Sequence, residues 1–251
     1  MSLSHNIVYP PLVTIVTVVK NDIAHIESTI LSVIKQTYPN IEYIIIDGGS
    51  TDGTMDIIDR YSKQINYKIS GRDNGIYDAM NKGFEQSSGD WINFLNSGDL
   101  LHDDYVLENI DFNSYKDNCF LYGDYRIRQS DGTIVKTMKS LNMNRLNLAL
   151  FGTRAVCHQA IFYNTKIKFR YPKNYLLKGE LFSYFEYLKF GKPKYIECTI
   201  CDYSLGGVGY RSKVQNRKEA WRVIRENMGF LCVLYAPMLV YQIIIALIKK
   251  K

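Results

Sequence analysis

Three short segments carry the polar residues whose types and spacing could do chemistry, and each follows an apolar run. The first is Asp47-Gly48-Gly49-Ser50-Thr51-Asp52-Gly53-Thr54. Paired glycines let a backbone approach a ligand, Asp47 can accept a hydrogen bond from a base or ribose, and Ser50 or Thr51 can cap a following helix. A plain strand-to-helix turn uses the same residue types, so both readings stand for this segment alone. In the second, Ser70 to Gly83, the residues Asn74, Asp78 and Asn81 fall three to four apart. On a helix otherwise rich in Ile, Ala and Met, such inward polar groups cost stability unless they bind something. The third is Asn96-Ser97-Gly98-Asp99. A lone Asp after a strand is often a helix cap, but at the carboxyl end of a central strand, beside a diphosphate, it is a good hard-metal ligand. No G-x-G-x-x-G and no G-x-x-x-x-G-K-[ST] occurs, which excludes the dinucleotide and P-loop fingerprints. Cys198-x-x-Cys201 lies in a strand-like run without a partner pair, so a zinc site is not expected.

The elements that position these segments alternate. Leu12–Val19 reads as a buried strand, Asp22–Lys35 as a helix, Glu42–Asp47 as a strand, Thr54–Tyr61 as a helix and Asn66–Ile69 as a short strand. A helix over Asn74–Gln86 and a strand over Trp91–Leu95 follow. Farther on come a strand at Phe120–Gly123, a hairpin of Tyr125–Arg128 with Thr133–Thr137, a helix over Lys178–Phe190 and a strand over Tyr195–Ser204. This order predicts an α/β sandwich, Rossmann-type, with a mainly parallel central sheet covered by helices on both faces. Ligands of such sheets sit beyond the carboxyl ends of the strands, where the three segments lie.

The chain has 251 residues, 46% hydrophobic and 22% charged, enough for one catalytic-sized domain with an appendage. Five cysteines make no disulfide framework and point to a reducing compartment. The first nine residues hold no Lys or Arg and the first apolar run is short, so no export signal is expected. The net charge of +6 raises nucleic acid, an anionic membrane or a phosphate-bearing ligand as partners. Residues 211–251 hold nine basic and two acidic residues, leaving 22 basic against 23 acidic in residues 1–210. The excess therefore belongs to the C-terminal segment. There Val214, Trp221, Ile224 and Met228 at helical spacing adjoin a stripe of Arg211, Lys218, Arg222 and Arg225, and the uncharged run Phe230–Ile248 ends in three lysines. That is the pattern of a helix on an anionic membrane, although a C-terminal helix buried in a larger core suits the apolar residues equally. The expected partition is a catalytic domain at 1–210 and a membrane-associating appendage at 211–251, with no nucleic-acid partner.

Taken in order, Val13-Thr14-Ile15-Val16 with Asn21, Ile46-Asp47-Gly48-Gly49-Ser50-Thr51-Asp52-Gly53-Thr54, Asp73-Asn74-Gly75 with Ala79-Met80-Asn81-Lys82-Gly83, and Gly89-Asp90-Trp91 with Leu95-Asn96-Ser97-Gly98-Asp99 resemble the family 2 glycosyltransferases. The match is strong over Leu12–Asp104 and looser to about Gly209. The resemblance implies a GT-A fold and an inverting transfer of sugar from a nucleotide-diphosphate donor, with uridine the usual base. It implies a hydroxyl of a lipid-linked saccharide as acceptor, in bacterial surface-polysaccharide synthesis such as capsule, O-antigen or exopolysaccharide. Such an enzyme works at the inner face of the cell membrane.

By the same resemblance, Asp47, Ser50 and the turn Arg72, Asp73 and Asn74 line the nucleotide pocket. The turn after the fourth strand binds ribose and the Mn2+ or Mg2+ on the diphosphate. Asn96 and Gly98 stand where acids are usual, so Asn96 is left to the ribose and Asp99 to the metal. His158, in a His-Gln element, is implied as a second ligand or a phosphate contact. Counting back from Gly191 puts Glu180 at the position of the catalytic base, with Asp202 in reserve. Gly206-Gly207-Val208-Gly209 matches the segment that closes the cleft. The departures at Asn96 and Gly98 keep open a different reading, a non-catalytic nucleotide-binding or membrane-scaffold protein with a degenerate metal motif.

Overall fold

The computed structural model describes residues 9–129, 131–205, 213–235 and 237. Its strands are β1 (Val13–Val19), β2 (Ile41–Asp47), β3 (Tyr67–Ser70), β4 (Trp91–Phe94), β5 (Leu100–Leu101), β6 (Phe120–Arg128), β7 (Ile134–Met138), β8 (Ile161–Asn164) and β9 (Lys194–Ser204). The helices are α1 (Ile26–Ile34), α2 (Thr54–Arg60), α3 (Ile76–Gln86), α4 (Arg145–Phe151), α5 (Gly179–Tyr187) and α6 (Lys213–Met228). The strands form one sheet in the order β3-β2-β1-β4-β8-β6-β9-β5, with β7 paired to β6. β3, β2, β1 and β4 are parallel, as the alternating order requires. Beyond β4 the sheet is mixed: β8 runs antiparallel to β4 and β6, β9 parallel to β6, and β5 antiparallel to β9. This is the expected GT-A-like sandwich.

Every residue of β1, the sequence VTIVTVV, is buried, because both faces of the sheet are covered. Val16, Val18, Ile44 and Ile46 face a core built with α3, α4, α5 and α6. Val13, Ile15, Tyr43 and Ile45 face a second core with α1, α2 and the turns at Val106–Phe112. At Gly83 α3 lies close against β1, since a Cβ there would overlap Val16 Cγ1. Alanine gains about 1 kcal/mol in helix propensity. Overpacking against an immobile β-branched residue costs about 1–3 kcal/mol, so the clash wins. Gly83→Ala therefore lowers the thermal unfolding midpoint; an unchanged or raised midpoint would show that α3 can move away from β1.

α6 places Ala220, Val223 and Ile224 in the first core, with Trp221 and Met228 packed against it, while Val214 stays in solvent. The helix thus covers that core with one side. Gly229–Tyr235 continues as a 3-10 turn in which Cys232 is buried and Phe230 is 86% exposed. Most of the apolar run to Ile248, and Gly206–Gly209, lie outside the described residues. Among the described residues, no helix is long and apolar enough to cross a membrane.

Candidate active site

The register aligns Val19, Asp47 and Ser70 across the ends of β1, β2 and β3. Asp47, 1% exposed, accepts from Gly49 N at 3.0 Å, Ser50 N at 2.9 Å, Ser70 Oγ at 2.5 Å and the Ser50 hydroxyl. Asp47 therefore shapes the turn with the carboxylate that the sequence assigned to a base or ribose. Ser50 Oγ also receives Asn21 N at 2.7 Å and Asn21 Oδ1 receives Thr51 N at 2.8 Å, which laces the first two strand ends together. Asn21 has φ 50°, a left-handed conformation that Asn tolerates. A Cβ at Gly48 would overlap the Asp73 carboxylate, so any larger residue there must turn the Asp73 side chain aside. Asp73 Oδ1 receives Gly75 N at 3.0 Å, and Arg72 and Asn74 are exposed beside it. Asn81, by contrast, is not turned to a ligand. Its side chain pairs with both backbone groups of Tyr171, at 2.9 and 2.7 Å, which satisfies the buried amide internally.

Asn96–Asp99 forms a tight turn after β4, closed by Asp99 N on Asn96 O at 3.0 Å. Asp99 is 4% exposed; its Oδ2 accepts from Gln159 Nε2 at 2.8 Å and its Oδ1 from Ser204 N at 2.8 Å. Burial pushes its carboxyl up to about 7, against the pull of those two donors and of Arg128. Gly98 has φ +92° and donates its N–H to Thr29 Oγ1, and Arg128 reaches its carbonyl at 2.7 Å. The space beside Gly98 is bounded at 3.8 Å by Asp22 Oδ2, a carboxylate held by His25 Nδ1 and Ser97 Oγ. Asn96 Oδ1 is buried and has no hydrogen-bond donor among the described residues.

The turn His158–Ala160 joins this region to a second group. Gln159 holds Asp99, while the adjacent His158 stacks on Phe94 at 5.7 Å and contacts Tyr163 Oη at 3.2 Å. Burial holds the imidazole neutral, lowering it to about 4, and Nε2 has no hydrogen-bond partner among the described residues. Glu180 is in the first turn of α5, where the helix dipole favours an anion. Its side chain is 16% exposed; Oε2 accepts the Tyr77 hydroxyl, and Lys178 Nζ lies 3.5 Å from Oε1 and 3.0 Å from Thr153 Oγ1. Burial and the facing Glu180 push Tyr77 well above the usual tyrosine range, so it stays a donor. The Tyr77 ring stacks on Tyr171 at 5.0 Å and lies 2.9 Å from where a Cβ at Gly179 would be, so only glycine fits there.

The family model for glycosyl transferase family 2 matches residues 14–175, which takes in the Asp47 turn, the Asn96–Asp99 turn and the His158–Gln159 element. The chain belongs to glycosyl transferase family 2. It is 30% identical over 158 residues to a PGL/p-HBAD biosynthesis glycosyltransferase of Mycobacterium bovis, covering 61% of this chain and 59% of that protein. It is 34% identical over 128 residues to TuaG of Bacillus subtilis, named for teichuronic acid biosynthesis, covering 50% of this chain and 51% of that one. The chain thus spans a little over half the length of these relatives. Among solved structures it is similar to Staphylococcus aureus TarS 1-349 in complex with UDP-GlcNAc, with a TM-score of 0.67, 16% identity and coverage of 86% and 66%. It is also similar to a Pyrobaculum calidifontis mannosyltransferase in complex with GDP-Man and Mn2+, with a TM-score of 0.59, 15% identity and coverage of 86% and 61%. At those identities the structures bear on the fold.

In this family 2 glycosyltransferase, the reserve acid Asp202 is engaged elsewhere. Arg126 binds it through two nitrogens, at 2.7 and 2.5 Å, and His102 Nδ1 approaches at 3.2 Å. Its carboxylate is 5% exposed and so is committed to joining β9 to β6. Sequence reasoning did not single out Tyr77, Lys178, Gln159 or Ser204. Gln159 was visible only as a neighbour of His158. A surface cavity of about 480 Å³ between Asn81–Gly89 and Thr165–Arg170 opens at the other end of β4, which starts just after Gly89. It is therefore remote from the strand ends that carry the acids.

Proposed function

We propose that this protein is an inverting glycosyltransferase that moves a hexosyl or N-acetylhexosaminyl group from a nucleoside-diphosphate donor to a hydroxyl of a lipid-linked saccharide in surface-polysaccharide synthesis. The observation that carries the reading is Glu180, a half-buried carboxylate at a helix N-terminus, held by the Tyr77 hydroxyl and the Lys178 ammonium. The acceptor hydroxyl gives its proton to Glu180 as its oxygen bonds to the anomeric carbon, and the bond from that carbon to the diphosphate breaks on the opposite face. Ser50, Arg72, Asp73 and Asn74 supply the nucleotide pocket, and Asp47 braces the turn that carries Ser50. Uridine is the proposed base, in line with the UDP-GlcNAc complex of the similar TarS.

The unpartnered oxygen of Asn96 fits a hard cation, and with Asp99 it would hold Mn2+ or Mg2+ on the donor. When bound, such a cation offsets charge on the departing diphosphate. Among the described residues no group of three acidic, His or Cys side chains forms a complete cage, so most ligands would come from the diphosphate and water. His158, with its free Nε2, remains a proposed contact for the same group. Residues 211–251, with their basic excess, would attach the enzyme to the anionic inner face of the membrane, where its acceptor lies.

A thermal-shift panel of UDP-, GDP-, dTDP- and ADP-sugars, with and without Mn2+, tests donor and cation together. A UDP-sugar at about 100 times its Kd stabilises by about 2.7 kcal/mol, and Mn2+ increases the shift. Stabilisation by GDP- or dTDP-sugars instead would reassign the base. No shift with any donor, with or without Mn2+, would refute the transferase reading.

A further inference from the structure

The stretch between β8 and α5 delivers Lys178 and Glu180 to the site, and such a loop keeps its position only if its backbone polar groups find partners. Three successive amides, Leu176 N, Leu177 N and Lys178 N, converge on one oxygen, Oε2 of Glu219 in α6, at 3.1, 2.8 and 3.0 Å. Converging N–H groups make an anion-binding concavity. The anion here is the chain's own side chain. Glu219 is 4% exposed, and its other oxygen accepts Gln215 Nε2 at 2.8 Å. A buried carboxylate is costly unless hydrogen bonds replace its water, so this arrangement ties α6 firmly to the loop.

The grip extends along one stripe of α6. The Arg222 guanidinium lies 5.1 Å from the Tyr175 ring centroid. Glu226 accepts the Tyr175 hydroxyl and, at 2.9 Å, Arg222 Nε. Glu219, Arg222 and Glu226 recur at i, i+3 and i+7, which puts them on one helix face. Residues 175–178 are therefore all held by α6, and Lys178, the last of them, is 3.5 Å from the Glu180 carboxylate.

We propose that Glu219 is a positioning residue for Glu180: α6, through the Glu219 carboxylate, sets where the catalytic base sits. This rests on the reading of Glu180 as the base. A misplacement of about 1 Å in such a group costs about 10²-fold in rate.

The test uses the full chain with Glu219→Gln, Glu219→Ala and, alongside, Glu180→Gln. Glu219→Gln keeps the volume and one neutral acceptor, so kcat falls about 10-fold, and Glu219→Ala about 10²-fold. The donor KM and the thermal shift with UDP stay unchanged. Hydrogen–deuterium exchange of a peptide spanning residues 174–179 accelerates in both Glu219 variants. A folded Glu219→Gln protein with wild-type kcat, measured where Glu180→Gln has lost transfer, overturns the positioning role alone. A rise in donor KM and a lowered melting point that match the fall in kcat mark Glu219 as merely structural and also overturn it. Full transfer by Glu180→Gln overturns the base reading, and the positioning role with it.

Discussion

Glu180→Gln lowers kcat for sugar transfer by about 10²–10⁴-fold, the usual contribution of a positioned general base. Glutamine keeps the shape of the side chain and can still accept the Tyr77 hydroxyl that Glu180 accepts. It cannot take the proton of the acceptor hydroxyl. The donor site uses other residues, so stabilisation by a UDP-sugar persists in the variant. Initial rates of nucleoside-diphosphate release with acceptor present, paired with thermal shifts, read the two effects separately. Transfer at the wild-type rate would remove Glu180 from the mechanism. Loss of donor binding together with rate would make it a donor contact instead. The non-catalytic scaffold reading makes the contrary forecast, that the wild type binds nucleotide and the substitution changes no turnover.

Asp99→Asn is expected to reduce both stability and transfer. The site presents two donors to this side chain, Gln159 Nε2 and Ser204 N, each at 2.8 Å. Asparagine offers one acceptor, and its NH2 must face the other donor. A buried donor left without a partner costs about 1–3 kcal/mol. Turning the Gln159 amide over would give up the bond that its Oε1 accepts from Cys157 Sγ at 3.0 Å. The mismatch therefore displaces the turn that also carries His158, and a shift of about 1 Å lowers transfer about 10²-fold. Thermal unfolding and initial rates together check this. A variant that melts and transfers like the wild type would show that Asp99 neither braces the turn nor serves a cation.

Much of this fold was legible because the apolar pattern is strong. VTIVTVV, short and rich in β-branched residues, reads as a strand buried on both faces, and the strand–helix alternation through Trp91 leaves a parallel half-sheet as the simple solution. The second half was harder. Short strands such as β5, and the antiparallel return of β8 between β4 and β6, depend on pairings between residues far apart in the chain. Periodicity carries no information about such partners. The polar residues of α3 show the same limit. Asn81 looked like a ligand because an inward amide needs a partner, and that partner is the backbone of Tyr171, 90 residues away.

The acids divide in the same way. Position and residue type marked Asp47 and Asp99, since each sits where a strand ends, whereas Glu180 was marked by the family resemblance, counted back from Gly191. Residue type could not separate Glu180 from Asp202, because two carboxylates look alike until their neighbours are known. Arg126 takes both oxygens of Asp202, whereas among the described residues the Glu180 carboxylate meets Tyr77 and Lys178. The basic charge of residues 211–251 was likewise plain from composition. That the helix carrying much of it also turns one acid, Glu219, inward onto the loop before Glu180 was not. Local sequence determined which elements form and which strand ends carry polar groups, because propensity and periodicity act over a few residues. Only the tertiary structure decided how each carboxylate is paired, because desolvation and hydrogen bonding are set by neighbours distant in sequence.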